Sequence, residues 1–248
     1  MKNSISQSCE INGTTLTLTT GGFAQQASAA VIARYGDTIV MATVTASERE
    51  STLSYFPLSV EYVERLYAGG RIKGSRWVKR EGRPSDDAIL AARVIDRSIR
   101  PLFPKTYKND VQIVVTVLAV DGENDPDVIG LVAVSAALHL SHIPWEGPIG
   151  AVRIGSIASE EGSFLMNPTV SQQGLSEFDL IVASTRDRVV MLEGGFCETP
   201  EQTVLTAIAK AKEENRKIIT LIEDLSKKAG KPKVEAPASD AAEELRKR

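Results

Sequence analysis

A mixed α/β (α+β) fold is what this sequence predicts, and three observations predict it. Residues 11 to 60 hold β-prone runs joined by tight-turn dipeptides. The run Val111–Val120, VQIVVTVLAV, is nearly all β-branched and apolar, as in a buried strand. Two stretches with helix-start residues, at Ser85 and at Asp125-Pro126, separate such runs. The resulting order is hairpins, helix, strand, helix, strands, helix, with no internal repeat. At 248 residues the chain is long enough to bury a real core.

In chain order, Ile11 to Thr20 alternates around Thr and Leu with Asn12-Gly13 as its turn. Ala27 to Tyr35 and Thr38 to Thr45 flank Gly36-Asp37, a second hairpin signal. From Val60 to Pro84 glycines and cations accumulate, and the segment reads as a long exposed loop. Ser85 caps the next helix, Asp86 and Asp87 suit its positive end, and Ala88, Ala92, Ile95 and Ile99 supply one apolar face before Pro101 stops it. Asp125 caps a helix with proline in its first turn that runs to about His142 and is apolar nearly all round, hence central and buried. Strands are expected at 149–157, 163–167, 179–184 and 188–193. Thr199-Pro-Glu-Gln202 has the capping-box pattern and opens a long helix ended by Gly230.

Composition excludes several classes. Hydrophobic residues are 42% and charged residues 25%, an ordinary globular balance. The net charge of −3 gives no global field for nucleic acid, so any such binding must come from a local patch. Cys9 and Cys197 lack metal-type spacing and read as reduced thiols of a cytoplasmic protein. The first residues lack a signal-peptide core, and no stretch approaches the roughly 20 apolar residues that span a bilayer.

Two cationic groupings are candidates for chemistry. Between positions 65 and 83 stand Arg65, Arg71, Lys73, Arg76, Lys79, Arg80 and Arg83, with Glu81 as the only acid and Tyr67 and Trp77 among them. Cations neutralise phosphates and an exposed aromatic offers a stacking surface for an unpaired base, although a solvated basic loop would look the same. Arg93, Arg97 and Arg100 follow at i, i+4, i+7, on one helix face. They could grip phosphate, or form a surface ion-pair ladder with Asp96; the residues leave both open. Asp121, Glu123, Asp125 and Asp127 imitate a calcium loop, but Pro126 stands where glycine is required, so a capped strand-to-helix connection is the better reading. His139 and His142 lack companion ligands and read as packing residues.

The stretch EYVERLYAGGRIKGSRWVKREGRPSDDAILAARVIDRSIRPLFP, above all ERLYAGGRI, REGRPS and ARVIDRSIRPLFP, resembles the bacterial polynucleotide phosphorylase family. QASAAVIARYGDTIVMATV, SAALHLSHIPWEGPIGAVRIG and EFDLIVAST extend the likeness over about residues 5 to 232. It implies a ribonuclease PH-like mixed sheet with packed helices at 1–230, the first of that family's two such domains, and a linker or the start of a helical domain at 231–248. It also implies phosphate-dependent 3′-to-5′ degradation of RNA to nucleoside diphosphates, with Mg²⁺, inorganic phosphate as co-substrate, single-stranded RNA, a second ribonuclease PH-like domain and a homotrimeric ring.

By resemblance, Trp77, Lys79, Arg80 and Arg83 are RNA-binding, while Arg93, Arg97 and Arg100 support phosphate near the active centre. Trp77 and Val78 stand where the family has two phenylalanines, Lys79-Arg80 replace an arginine pair, and Arg76 is one extra residue. By the same resemblance, the family's phosphate-binding serines and its two metal-binding aspartates with a nearby lysine belong to its second domain. Here 125–130 holds no serine, Gln173 takes the first aspartate's place, Ile181 the lysine's, and only Asp179 remains. The expectation is an RNA-binding, non-catalytic domain carrying no catalytic residues and no metal ligands. The alternatives are a stand-alone RNA-binding ring scaffold and a single-domain phosphorolytic ribonuclease.

Overall fold

The computed structural model describes residues 4–72, 83–157 and 164–236. Among the described residues, ten strands form two sheets around three long helices and one short one. The first sheet has the order β1-β2-β3-β4-β6-β5, built from β1 (Ile5–Ile11), β2 (Thr14–Thr20), β3 (Ala29–Tyr35), β4 (Thr38–Glu50), β5 (Leu58–Glu64) and β6 (Asn109–Ala119). All its pairs are antiparallel except β5 with β6. The second sheet is antiparallel with order β10-β9-β7-β8, from β7 (Gly150–Ser156), β8 (Phe164–Met166), β9 (Phe178–Ser184) and β10 (Val189–Phe196).

The turn chemistry explains the hairpins. Asn12 (φ 47°) and Gly13 (φ 75°) both sit in the left-handed region that a two-residue hairpin turn demands, and Asn and Gly tolerate it best. β1 itself, Ile5–Ile11, precedes the point where the β-rich reading began. A second difference is larger. Residues 58–64, assigned mostly to an exposed loop, form β5, which pairs in parallel with β6. A parallel partner needs a crossover, and α1 (Asp86–Ile99) supplies it.

Helix α2 (Pro126–Leu140) is the centre of the molecule. Val128 to Leu138 are buried without a break, and the helix packs on β3, β4, β6, β7, α1 and α4. Each buried Leu, Ile or Val contributes roughly 1.5–3 kcal/mol relative to exposure, so this largely apolar helix ties both sheets into one core. It ends at Leu140, with Ser141 as its C-cap.

Helix α4 (Glu201–Ala229) lies across β7, β9 and β1 and ends at Gly230, as expected. Its predicted capping box does not form. Pro200 occupies the N-cap and cannot act as a side-chain acceptor, while the Thr199 hydroxyl is buried without a partner. A true capping box stands elsewhere, at Thr169 and Gln172, opening the short helix α3 (Val170–Gln173), which the sequence reading left unassigned. Among the described residues no helix is long and apolar enough to cross a membrane.

Candidate functional site

The N-terminus of α2 meets the second sheet at one buried arginine. Every residue of β7 is buried, and Arg153 is the only charged one. Its guanidinium cannot enter that layer unpaired. Nη2 lies 2.5 Å from an Asp127 oxygen and 3.1 Å from Asp125; Nη1 lies 2.7 Å from Asp179 and 3.4 Å from the Gln173 side-chain oxygen. Asp125 is held because it caps α2, its side chain accepting from the Asp127 N–H. Asp179 is carried by β9, next to β7. The expected helix-capping role of Asp125 is therefore present. Asp121 also organises its connection: burial opposes its ionisation, but hydrogen bonds from Asn124, Glu123 and Asp37 hold its carboxyl well below the ordinary range.

Three carboxylates share one guanidinium, and the charge does not balance. Burial pushes the Asp127 carboxyl up to about 7, with Arg153 opposing and Asp125 reinforcing the rise. Burial also raises Asp179, again against Arg153. The same carboxylates hold the Arg153 proton more firmly despite the desolvation of the guanidinium. One cation cannot neutralise three clustered acids, and a proton retained on Asp127 relieves the excess.

This cluster forms one wall of a cavity of about 510 Å³ between β5, α1, the start of α2 and β9–β10. Glu64, Asp87 and Glu193 line the rest of it together with Tyr62 and Leu90. The surface is acidic, and its one buried cation is already engaged. Sequence reasoning missed Arg153 and the joint role of Asp127. The available signal was a lone arginine in the apolar strand AVRIG, which must find carboxylates when buried.

The predicted arginines lie on α1 or, for Arg100, at its C-cap, but do not share one environment. Arg100 donates to both oxygens of Asp96 and to the carbonyls of Phe56 and Leu58, so four of its five N–H groups are occupied. Arg97 pairs with Glu193 at the cavity. Arg93 is exposed and lines a groove between α1 and β5. Ser85 caps α1, accepting from the Ala88 N–H, and its hydroxyl donates to Glu64 at 2.8 Å, which pins the two ends of the basic segment together. Arg83 is exposed beside this closure. Trp77, Lys79 and Arg80 lie outside the described residues. Cys9 is half-buried and Cys197 exposed, both free, and burial pushes the Cys9 thiol up to about 11.

Two sheets bridged by a central helix, with an apolar core common to both, define the class. The chain belongs to the 3′ exoribonuclease family: the family's domain 1 matches residues 14–144 and its domain 2 residues 147–214. The first match runs from β2 through α2, the second from β7 into α4. Curated relatives named polyribonucleotide nucleotidyltransferase include that of Heliobacterium modesticaldum, 49% identical over 96% of this chain and 33% of its own length. Others come from Caldicellulosiruptor saccharolyticus, 45% identical over 96% of this chain and 34% of its own length, and Thermus thermophilus, 48% identical over 90% and 31%. The chain therefore spans about a third of the length of the curated relatives it matches. The crystal structure of rice (Oryza sativa) Rrp46 has the same fold, with TM-score 0.64 at 15% identity, covering 85% of this chain and 94% of that one.

Proposed function

We propose that this chain is the RNA-handling, non-catalytic core domain of a phosphate-dependent 3′-to-5′ exoribonuclease, with residues 1–230 as one ribonuclease PH-like unit and 231–248 as a linker or the start of a helical domain. The observation that carries the non-catalytic part is the acidic cavity beside α2. An attacking phosphate entering it would face Glu64 and Asp87, with Glu193 already paired to Arg97. Each like-charge pair at 4 Å costs about 4 kcal/mol at an effective dielectric near 20. The one buried cation there, Arg153, is held by Asp125, Asp127 and Asp179. Phosphoryl transfer needs the opposite arrangement, positive groups aimed at the developing charge.

The whole enzyme would take inorganic phosphate as co-substrate and Mg²⁺ as its ion. The donors of this cavity do not fit that ion, because its clustered carboxylates already close on a guanidinium. Among the described residues no group of three or more His, Cys, Asp or Glu is arranged to hold a metal. In this reading the chemistry belongs to a companion ribonuclease PH-like domain, joined with this one in a homotrimeric ring in the cytoplasm. The RNA-handling part rests on the basic segment. Trp77, Lys79, Arg80 and Arg83 hold single-stranded RNA upstream, and Arg93 and Arg97 add positive charge along α1. Arg100, with four donors occupied, acts there chiefly by fixing α1 against the start of β5.

Incubating the chain with oligoadenylate, phosphate and Mg²⁺ tests the reading. Binding without release of ADP is expected, and turnover should appear when the companion domain is added. ADP formation by the chain alone would overturn the non-catalytic assignment.

A further inference from the structure

We propose that Lys233 is a modification site: a small acyl phosphate acylates its amine, and the loss of charge loosens the strap that follows α4 from the end of α2. The inference is independent of the RNA-handling reading.

The strap begins where α4 ends. At Gly230 a Cβ would lie 2.6 Å from the Ser226 carbonyl oxygen, so glycine lets the chain turn there. Lys231 N–H then donates to Leu140 O at 2.9 Å and Val234 N–H to His142 O at 2.8 Å, which lays the strap along the exit of α2. Two ammonium groups complete the fastening. Lys231 Nζ donates to Ser28 O at 2.5 Å and Lys233 Nζ to Leu138 O at 2.7 Å. Leu138 stands in the last turn of α2, where carbonyls lack helical partners and the helix dipole favours a cation. Ser141 also donates to that carbonyl, N–H at 3.2 Å and Oγ at 2.8 Å, so it keeps partners once the ammonium is gone.

The setting of Lys233 differs from that of its paired counterparts. Lys217 and Lys227 lie against Glu214 and Asp224, which stabilise their charge. Lys233 has no carboxylate partner among the described residues, and its bond is to a neutral carbonyl. The charged groups nearby do not make up for this. Glu223 of α4 is engaged with Arg186, and Glu235, two positions along the strap, forms no ion pair among the described residues. Lys231 is a like charge, and His139 of α2 is pushed down by burial and then by Lys233 itself, against Glu223. Burial without a counter-charge pushes the Lys233 amine down to about 8.

Near that pH about half of such an amine is neutral, against well under about 1% for an ordinary lysine. The residue as a whole is exposed, so a small reagent reaches it. The neutral amine attacks the acyl carbon. A C–N bond forms, the C–O bond to phosphate breaks, inorganic phosphate leaves and the nitrogen releases a proton to water. The resulting amide brings no charge to the end of α2.

The test treats the 248-residue chain with acetyl phosphate between pH 7 and 8 and reads the acetylation rate of each lysine by peptide mass spectrometry. Lys105, Lys108 and Lys228, all exposed, serve as references. Lys233 should react roughly tenfold faster or more, with the advantage shrinking as the pH is raised. A rate equal to that of the references would overturn the site. Amide exchange followed by NMR reads the strap. The amides of Lys231 and Val234 should exchange about 2- to 30-fold faster after acetylation, the span expected when a cation leaves a helix C-terminus. Lys233→Gln should do the same, while Lys233→Arg keeps the charge and should preserve protection. The melting temperature should hold in both variants, since the side chain lies outside the core. Unchanged protection in the acetylated chain and in Lys233→Gln would show that the strap holds without the charge, and the proposed release would be wrong.

Discussion

Arg153 on β7 reaches Asp127 in the first turn of α2, Nη2 to carboxylate oxygen at 2.5 Å, and so joins the second sheet to the helix that the first sheet packs against. Breaking one side of such a buried pair leaves uncompensated charge and costs about 3–5 kcal/mol. Arg153→Met should lower the urea-unfolding free energy by that order. Arg153→Lys should recover only part of it, because a single ammonium cannot reproduce a planar fork that serves Asp125, Asp127 and Asp179 together. Equal stability of parent and Arg153→Met would contradict the account.

The same cluster makes stability depend on pH. Asp127 titrates near 3.8 when unperturbed and at about 7 in the folded chain. A folded value above the unfolded one means that the native state holds the proton more tightly. The associated stability is fully present below about pH 4 and is lost as pH rises through about 7. Asp179 shifts in the same direction. Urea midpoints measured from pH 5 to pH 8 should fall for the parent. They should change less for Asp127→Asn, which has no proton to lose.

Gly150 opens β7 against α4, and a Cβ there would lie 2.5 Å from the Asn215 carbonyl oxygen and 2.8 Å from its Cα. The obstacle is backbone, so it cannot swing aside. Gly150→Ala should destabilise by at least roughly 1–3 kcal/mol, the usual cost of overpacking, read as a lowered melting temperature.

Ser85 serves α1 twice, as N-cap and as partner of Glu64. Ser85→Ala should cost about 1 kcal/mol through the cap alone. RNA affinity should also decline if the closed foot of the basic segment matters for binding. Loss of stability with affinity unchanged would confine Ser85 to a structural role.

The α1 arginines should separate by readout. Arg100→Ala removes bonds to Asp96, Phe56 and Leu58 and should mainly lower stability. Arg93→Ala, exposed, should leave stability alone and reduce RNA affinity. If it neutralises a phosphate, the slope of log K against log salt should drop by about 0.7.

What the sequence revealed followed from local chemistry. Asn12-Gly13, the Ser85 and Asp125 caps and the β-branched run of β6 each act on their immediate neighbours, and each formed where expected. β5 was missed although Leu58–Tyr62 alternates apolar and polar residues strictly, because the glycine- and cation-rich stretch that follows drew the loop back to Val60; its partner in the sheet, β6, lies some 50 positions on. Thr199–Gln202 failed as a capping box because Pro200 took the cap position. The Arg153 cluster draws on β7, β9, α3 and the α2 N-terminus, so no window of the chain contains it. Its charged strand residue was the one visible trace.

Helix α2 has a bearing on how this architecture divides. The two family regions meet between residues 144 and 147, just beyond the helix. Severing the chain at that seam would strip β7 and α4 from one flank of α2 and leave a greasy rod half bare. Neither piece would be a smaller working protein; both would be sticky fragments that prosper only by finding each other again.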